Sequence, residues 1–178
     1  MLKKNNRQQV LEIFFDNPMP SSGFQLREIS RIINLAPLSV KKYLDEFVKE
    51  KLIRIEKHRV NDYPLYFANR EENFKFYKKT NNIKKIYESG LLDHIYDKSL
   101  PDVIYLFGSY SLGEDLATSD IDLYVQSKEK KIDLKKFEKI LKRKINIFFD
   151  DNFNNLSKNL RNNIINGIKL RGYLKIWN

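Results

Sequence analysis

The sequence predicts an α+β protein made of two parts. Up to residue 49 the apolar residues recur at helical spacing, and Leu52–Glu56 then alternates between apolar and polar residues as a strand does. In the second half, Val103–Phe107 and Asp120–Val125 are short, largely apolar runs typical of buried strands. With 178 residues, of which 42% are hydrophobic and 13% aromatic, the chain is long enough to bury a sizeable core.

Composition limits the classes of function. The net charge is +10, and its positive excess is spread over both halves, which suits a polyanionic partner as well as solubility. The absence of cysteine excludes disulfides and thiolate metal sites and fits a reducing compartment. The first ten residues are polar and no apolar stretch approaches about 20 residues, so we expect neither a signal peptide nor a membrane span. These features predict a cytoplasmic protein.

The first half predicts three helices followed by a hairpin. Pro37 suits the first turn of the third helix, and a polar turn at 58–62 separates the two strands. The predicted elements are helices Asn5–Phe15, Leu26–Ile33 and Pro37–Lys49 and strands Leu52–Glu56 and Tyr63–Ala68. This arrangement resembles a winged helix-turn-helix domain over residues 5–70.

The resemblance implies that the third helix enters the major groove of duplex DNA and that the hairpin touches the DNA backbone. The candidate DNA-binding residues lie near the start of that helix and at the tip of the hairpin: Ser39, Lys41, Lys42, Lys57, His58 and Arg59. The same residues also suit an ordinary solvated face or a protein contact. Asp45 and Glu46 on the same helix would repel phosphates.

Two further helices connect the halves. Residues 74–89 predict a helix that ends at Gly90, and Leu91–Lys98 predicts a short second one carrying His94, which we expect to be a packing or surface residue. We therefore expect a DNA-binding domain at 1–72, a helical connector with the first helix of the second domain at 73–98, and the rest of the second domain at 99–178.

The second half places charged residues among apolar ones. Asp120 and Asp122 are two positions apart on a predicted strand, so their side chains share one face. Burying two like charges together is costly without a positive partner, and Mg²⁺ prefers oxygen ligands combined with substrate phosphates. The turn at Gly108 and Ser109 ends the preceding strand and offers backbone N–H groups to a phosphate. The pattern predicts a site for a nucleotide and a metal ion.

Gly108-Ser109, ten further residues and then Asp120-Ile121-Asp122 resemble the signature of the DNA polymerase beta-like nucleotidyltransferase superfamily in its minimal form. The likeness runs from Ile83 to the C-terminus and includes Asn163–Ile168. It implies a small mixed sheet flanked by helices and transfer of a nucleoside monophosphate from a nucleoside triphosphate, ATP being expected, with release of pyrophosphate. By this resemblance, a glycine and a serine hold the triphosphate and two catalytic acids bind the metal: Gly108, Ser109, Asp120 and Asp122.

One residue departs from the family pattern. The family usually places a third catalytic acid on the next core strand, where this chain has Asn146 within Lys144–Phe149. An asparagine offers a carbonyl oxygen but cannot accept a proton as a base. Asp150 lies further along the same strand face and is a candidate substitute.

The residues before that strand are the most basic in the chain. Asp133 is expected to cap a helix that reaches Lys142, and its lysines suit either a nucleic-acid or acidic protein acceptor or a plain solvated face. The basic residues of this stretch are Lys128, Lys130, Lys131, Lys135, Lys136, Lys139, Lys142, Arg143 and Lys144.

Two functions fit these features. The first is an Mg²⁺-dependent nucleotidyltransferase joined to a DNA-binding domain, resembling antitoxins that modify a partner toxin and regulate their own synthesis. The second is a non-enzymatic regulator that binds DNA and senses a nucleotide or a partner protein, which Asn146 favours. The sequence does not identify the acceptor, the preferred base, the DNA sequence or the oligomeric state.

Overall fold

The computed structural model of the chain describes residues 5–19 and 22–176. The chain divides into two compact units, Met1–Lys78 and Lys79–Asn178. Within the described residues, no helix combines the length and the apolar character needed to cross a membrane.

The first unit contains three helices, a two-stranded antiparallel hairpin and the first turns of the helix that follows. Phe24 adds a single bridge to Tyr66 at the outer side of the second strand. The core contains Phe14, Ile29 and Leu44, one from each helix, and none of the three is exposed. The elements are α1 (Asn6–Asp16), α2 (Leu26–Ile33), α3 (Pro37–Lys49), β1 (Ile53–Lys57) and β2 (Pro64–Ala68).

Local signals explain where these helices begin and end. The Asn5 side chain accepts a hydrogen bond from the Gln8 N–H at the start of α1. Asn34 ends α2 in the left-handed conformation, with φ 51°, and Pro37 occupies the first turn of α3.

Two helices follow, α4 (Glu72–Ser89) and α5 (Leu91–Ser99), separated by Gly90 with φ 77°. Phe74 of α4 belongs to the core of the first unit, whereas Ile86 belongs to the core of the second. The predicted domain limits at residues 72 and 98 remain a prediction.

The second unit is built on a four-stranded mixed sheet in the order β5-β4-β3-β6, as the resemblance implied. The β4–β5 pair is parallel, and β3 pairs antiparallel with both β4 and β6. The elements are β3 (Val103–Phe107), α6 (Gly108–Leu112), β4 (Ile121–Val125), α7 (Lys135–Leu141), β5 (Ile145–Phe149), a 3-10 turn (Phe153–Asn155), α8 (Lys158–Ile165) and β6 (Ile168–Gly172).

The start of α7 differs from the prediction. Leu134 is the N-cap residue, one position after Asp133. The Asp133 carboxylate instead accepts a hydrogen bond from the backbone N–H of Lys135, at 3.1 Å, just ahead of the first full turn. Helical periodicity cannot separate neighbouring cap positions when both precede the apolar stripe.

β4 is a central strand with two different faces. Ile121, Leu123 and Val125 point into one apolar core and are fully buried. Tyr124, on the opposite face, is also fully buried and packs against Phe153. The Tyr124 hydroxyl donates a hydrogen bond to the Asp150 carbonyl at 3.1 Å, which ties β4 to the end of β5.

Tyr124 makes the stability of the protein pH-dependent. Burial raises the pKa of its phenol, so the folded state keeps the proton where the unfolded state loses it, above about pH 10. This contribution is complete below pH 10 and decreases above it by about 1.4 kcal/mol per pH unit. Tyr124→Phe should lower the free energy of unfolding by about 1 kcal/mol at pH 8, because the hydrogen bond is lost.

Urea titrations at pH 8 and pH 11 test this expectation. The difference between Tyr124→Phe and the wild type should shrink or reverse at pH 11, because the variant has no phenol to ionise there. The matched control is Tyr173→Phe, since Tyr173 is 75% exposed. Equal pH dependence in both variants would contradict the expectation.

Candidate active site

Two carboxylates lie at the start of β4. Asp122 is within the strand and Asp120 directly precedes it, and both are half-buried on the face opposite Ile121 and Leu123. In the register of the sheet, Asp122 lies between Phe107 of β3 and Asn146 of β5. The alternation of the strand therefore places the two predicted acids together beside two neighbouring strands.

The Asn146 side chain forms hydrogen bonds with both carboxylates. Its side-chain Nδ2 donates to Asp122 Oδ1 at 3.0 Å and to Asp120 Oδ2 at 3.2 Å. A carboxamide has two N–H donors on one nitrogen, so each hydrogen satisfies one acid. Donors to ionised acceptors form the stronger class of hydrogen bond, so Asn146 offsets part of the repulsion between the two acids.

At Gly108 the main chain closely approaches Asp122. It follows β3, opens α6 with φ 72°, and a Cβ built there would lie 2.8 Å from Asp122 Oδ2. Any larger residue would be strained in its backbone and would crowd the carboxylate. The Ser111 hydroxyl donates to the Gly108 carbonyl at 2.7 Å and so fixes the turn in which Ser109 is the next residue.

A buried polar group holds the loop between α6 and β4 in place. Asp115 is 1% exposed and accepts a hydrogen bond from Asn82 Nδ2 at 2.8 Å. The Arg143 guanidinium lies 3.5 Å from the second oxygen of Asp115 and also donates to the Ala117 carbonyl. Arg143 therefore positions the segment that leads to Asp120 and is not part of a solvated basic face.

The spare acid considered from the sequence has another role. Asp150 Oδ1 accepts hydrogen bonds from the Asn152 N–H at 2.9 Å and from Asn155 Nδ2 at 3.2 Å. These bonds shape the turn after β5 and engage one oxygen of the Asp150 carboxylate, and its part as a substitute for the third acid stays a prediction. In residues 5–19 and 22–176, no cluster of three or more His, Cys, Asp or Glu side chains is arranged to hold a metal ion.

Two carboxylates remain as candidate metal ligands, and this set suits Mg²⁺. Asp120 and Asp122 each direct one oxygen at the Asn146 amide, and Gly108 leaves Asp122 Oδ2 uncrowded, since a Cβ there would lie 2.8 Å from it. Mg²⁺ is usually bound by one or two carboxylates together with water and substrate phosphates. Asp120 and Asp122 therefore fit this ion, with Asn146 as a neutral neighbour.

The candidate DNA-binding residues lie at two places in the first unit. Ser39, Lys41 and Lys42 are in the first two turns of α3, and Lys57, His58 and Arg59 are at the end of β1 and in the following turn. Asp45 and Glu46 are both paired: Lys41 lies 2.7 Å from Asp45, and Arg7 lies 3.3 Å from Glu46. These ion pairs reduce the repulsion of phosphates expected from the sequence.

His58 shapes the hairpin turn. Its ring stacks on Tyr63 with 4.4 Å between ring centroids, and its Nδ1 accepts hydrogen bonds from the N–H groups of Val60 and Asn61. His94 also has a packing role, because its ring contacts Phe137 and its Nε2 lies 3.2 Å from the Asp133 carbonyl.

Sequence reasoning named Lys144 as part of the basic stretch and did not single out Phe148, although both lie close to Asn146 along the chain. Phe148 is two positions after Asn146 in β5, so strand alternation places it on the same face as Asn146, whereas Lys144 directly precedes the strand. Phe148 is 42% exposed, and its ring centroid lies 5.5 Å from that of Phe107. The same period-two pattern that identified Asp120 and Asp122 would have found Phe148.

Comparison with known protein families gives one match, which lies within the second unit. Residues 88–170 match the family model described as nucleotidyltransferase domain, which supports nucleotidyl transfer as the general function. Comparison with curated proteins found no match, and comparison with solved structures found none. The nucleotidyltransferase resemblance is thereby confirmed over residues 88–170, whereas the winged helix-turn-helix resemblance stays a prediction.

Asn146→Asp tests the geometry of this site without knowledge of any acceptor. The change removes two N–H donors and adds a third carboxylate beside Asp120 and Asp122. Without a metal ion we expect the melting temperature to fall by on the order of 5 °C at neutral pH. Mg²⁺ should then stabilise the variant more than the wild type, because its binding to the folded state raises stability by linkage.

Thermal melts with Mg²⁺ and with EDTA provide the measurement. Asn61→Asp, in the exposed hairpin turn of the first unit, adds the same charge outside the site and should show no extra Mg²⁺ effect. If Mg²⁺ stabilises Asn146→Asp and the wild type equally, Asn146 does not adjoin a metal-binding position.

Proposed function

We propose that the second unit transfers a nucleoside monophosphate from a nucleoside triphosphate, expected to be ATP, to a hydroxyl of a protein or nucleic acid. The observation that carries this proposal is the convergence of Asp120, Asp122 and Asn146 beside Gly108, inside the segment that matches the nucleotidyltransferase domain.

Each residue has a defined part in this reaction. Asp120 and Asp122 would hold Mg²⁺, which when bound supplies positive charge to the phosphate oxygens. The backbone N–H groups at Gly108 and Ser109 would orient the triphosphate, because they open α6 and no side chain at 108 obstructs them. Arg143 and Asp115 hold the preceding loop so that the two acids keep their spacing.

The reaction is an in-line displacement at phosphorus. The acceptor hydroxyl oxygen forms a bond to the α-phosphorus, and the bond from that phosphorus to the oxygen bridging to the β-phosphate breaks. The bond's electron pair leaves with pyrophosphate, and the hydroxyl proton passes to water because Asn146 cannot accept it. General-base help is worth about 10²–10⁴ in rate, so we expect a slow enzyme.

Asn146 also supports a second candidate function. A site whose acids already receive two hydrogen bonds from a carboxamide suits a regulator that senses a nucleotide without transferring it. Transfer of label from the α-phosphate distinguishes the two functions, because a sensor binds the nucleotide and leaves no covalent product.

For the first unit we propose winged helix-turn-helix binding of duplex DNA through α3 and the hairpin. Lys42, Lys57 and Arg59 are exposed, and the acids on α3 are paired with Arg7 and Lys41. An antitoxin-like role, with a partner toxin as acceptor and control of its own synthesis, is compatible with this combination.

The transfer proposal makes a direct prediction. Protein incubated with Mg²⁺, α-labelled ATP and an extract of its host cells should label a macromolecule, and Asp120→Asn with Asp122→Asn should abolish the label. The double variant should keep or raise its melting temperature, because the two carboxylates no longer repel each other. Asp151→Asn, at an exposed position after β5, is the control and should label normally. Label that persists in the double variant would refute the assignment of the acids.

The DNA proposal predicts a salt effect. Lys42→Gln should weaken binding to duplex DNA and lower the slope of log affinity against log salt concentration by about 0.9, because one phosphate contact is lost. Lys49→Gln, in the last turn of α3, is the control and should change the slope little. Titrations of labelled duplex at several salt concentrations give both values, and a wild-type protein with no salt-sensitive binding would contradict the proposal.

A further inference from the structure

β5 is an edge strand of the sheet in the second unit, with β4 on one side only. Just before the strand, the Lys144 carbonyl accepts a hydrogen bond from the Ile121 N–H at 2.8 Å. Just after it, the Asp150 N–H donates to the Val125 carbonyl at 3.4 Å. Residues with even numbers therefore bond to β4. Because peptide groups point alternately to the two sides of a strand, the N–H and C=O groups of the odd-numbered residues point away from β4.

The outward-pointing groups of β5 are open to a partner. The Ile145 N–H donates to Glu138 Oε1 at 3.1 Å, which shows that this side of the strand faces away from β4. Among the described residues, no hydrogen bond from outside the sheet reaches the main chain of Ile147 or Phe149. Both side chains line an open groove beside the loop that precedes α7. An edge with free N–H and C=O groups is a template for another strand.

The opposite edge of the sheet is protected against such pairing. β6 carries Lys169 and Arg171, and its register against β3 shifts at a bulge. The Leu170 carbonyl of β6 accepts a hydrogen bond from the Tyr87 hydroxyl. Charges, bulges and covering groups keep edge strands from pairing with other chains. β5 has none of these devices along its sequence, since Ile-Asn-Ile-Phe-Phe contains no charge and no proline.

We propose that β5 pairs antiparallel with β5 of a second copy of this chain, about a two-fold axis at Ile147. Antiparallel pairing places the outward-pointing residues opposite one another, and this register includes all five residues of the strand. The two Ile147 residues exchange N–H to carbonyl hydrogen bonds. Each Phe149 N–H donates to the Ile145 carbonyl of the other copy. The two sheets thereby become one continuous sheet.

The charges that flank β5 favour a second copy as the partner. Lys144 directly precedes the strand and Asp150 directly follows it, so each Lys144 lies opposite Asp150 of the other copy. Lys144 is exposed and has no ion pair in the described part of the chain, and both hydrogen bonds to Asp150 use Oδ1. Opposite charges across an antiparallel pair stabilise it, and the two-fold axis supplies this pair twice. Parallel pairing of two copies would bring like charges together.

The second copy also reaches the candidate active site. In this register Phe148 of one copy is directly opposite Asn146 of the other, with about 4.5 Å between their Cα atoms. Directly opposite residues share a face of the sheet, and this face carries Asp120 and Asp122. Each Phe148 ring, 42% exposed in one copy, therefore covers the outer side of Asn146 in the other.

Sedimentation velocity of the full chain, without nucleotide or Mg²⁺, tests the dimer independently of nucleotidyl transfer. The wild type should form a concentration-dependent dimer. Lys144→Glu should raise the dissociation constant about tenfold, because two pairs change from attraction to repulsion. Adding Asp150→Asn should restore most of the affinity, because it removes the repulsion and keeps the Oδ1 acceptor.

Lys139→Glu makes the same charge change at an exposed position of α7 and is the control, which should leave the dissociation constant unchanged. A wild type that is monomeric at every concentration would overturn the inference, as would a dimer that Lys144→Glu and Lys139→Glu affect equally. If Asp150→Asn restores nothing, the register is wrong, and with it the position of Phe148.

A single introduced cysteine tests the two-fold axis, because the chain contains no cysteine. Ile147→Cys places two thiols opposite each other with about 5.5 Å between Cα atoms, which is within the range of a disulfide. Mild oxidation should therefore convert the dimer into a covalent one on a denaturing gel. Ile140→Cys, at a 51% exposed position of α7, is the control and should not cross-link. Cross-linking that is equal in both variants would overturn the proposed pairing.

Discussion

Two ionised carboxylates on one face of a strand repel each other, and the second unit is organised around that repulsion. Asp120 and Asp122 cannot be separated, because strand alternation places every second side chain on the same face. Asn146 of the neighbouring parallel strand donates a hydrogen bond to each acid, and Gly108 leaves room next to Asp122. The order of the strands matters because only β4, between β3 and β5, brings both elements to the acids.

Much of this arrangement follows from short-range signals in the sequence. The limits of α2, α3 and β3 agree with prediction to the residue, because proline, a left-handed asparagine and a bounded apolar run mark their ends locally. The gathering of Asp120, Asp122 and Asn146 needs only period-two alternation and one correct strand alignment. Their chemical roles are a separate question, which the family match to residues 88–170 supports only in general terms.

Sequence reasoning does not identify the partner that a charged side chain contacts. Arg143 belongs by composition to a basic stretch, but its guanidinium contacts Ala117 and Asp115, 26 and 28 positions earlier. Asp150 directly follows β5, and its carboxylate accepts hydrogen bonds from the Asn152 N–H and from Asn155 Nδ2. Charge and periodicity predict which interactions a side chain is able to make. The tertiary structure determines which neighbour it contacts.

The position of Arg143 links two segments that lead to the candidate site. Its backbone lies between Lys142 and Lys144, while its side chain holds the loop in front of Asp120. The residues that lead into β5 and Asn146 are therefore fastened by one side chain to the loop that leads to Asp120. The two acids and the amide thus share a single point of support, and a change at residue 143 reaches Asp120 through its side chain and Asn146 through its backbone.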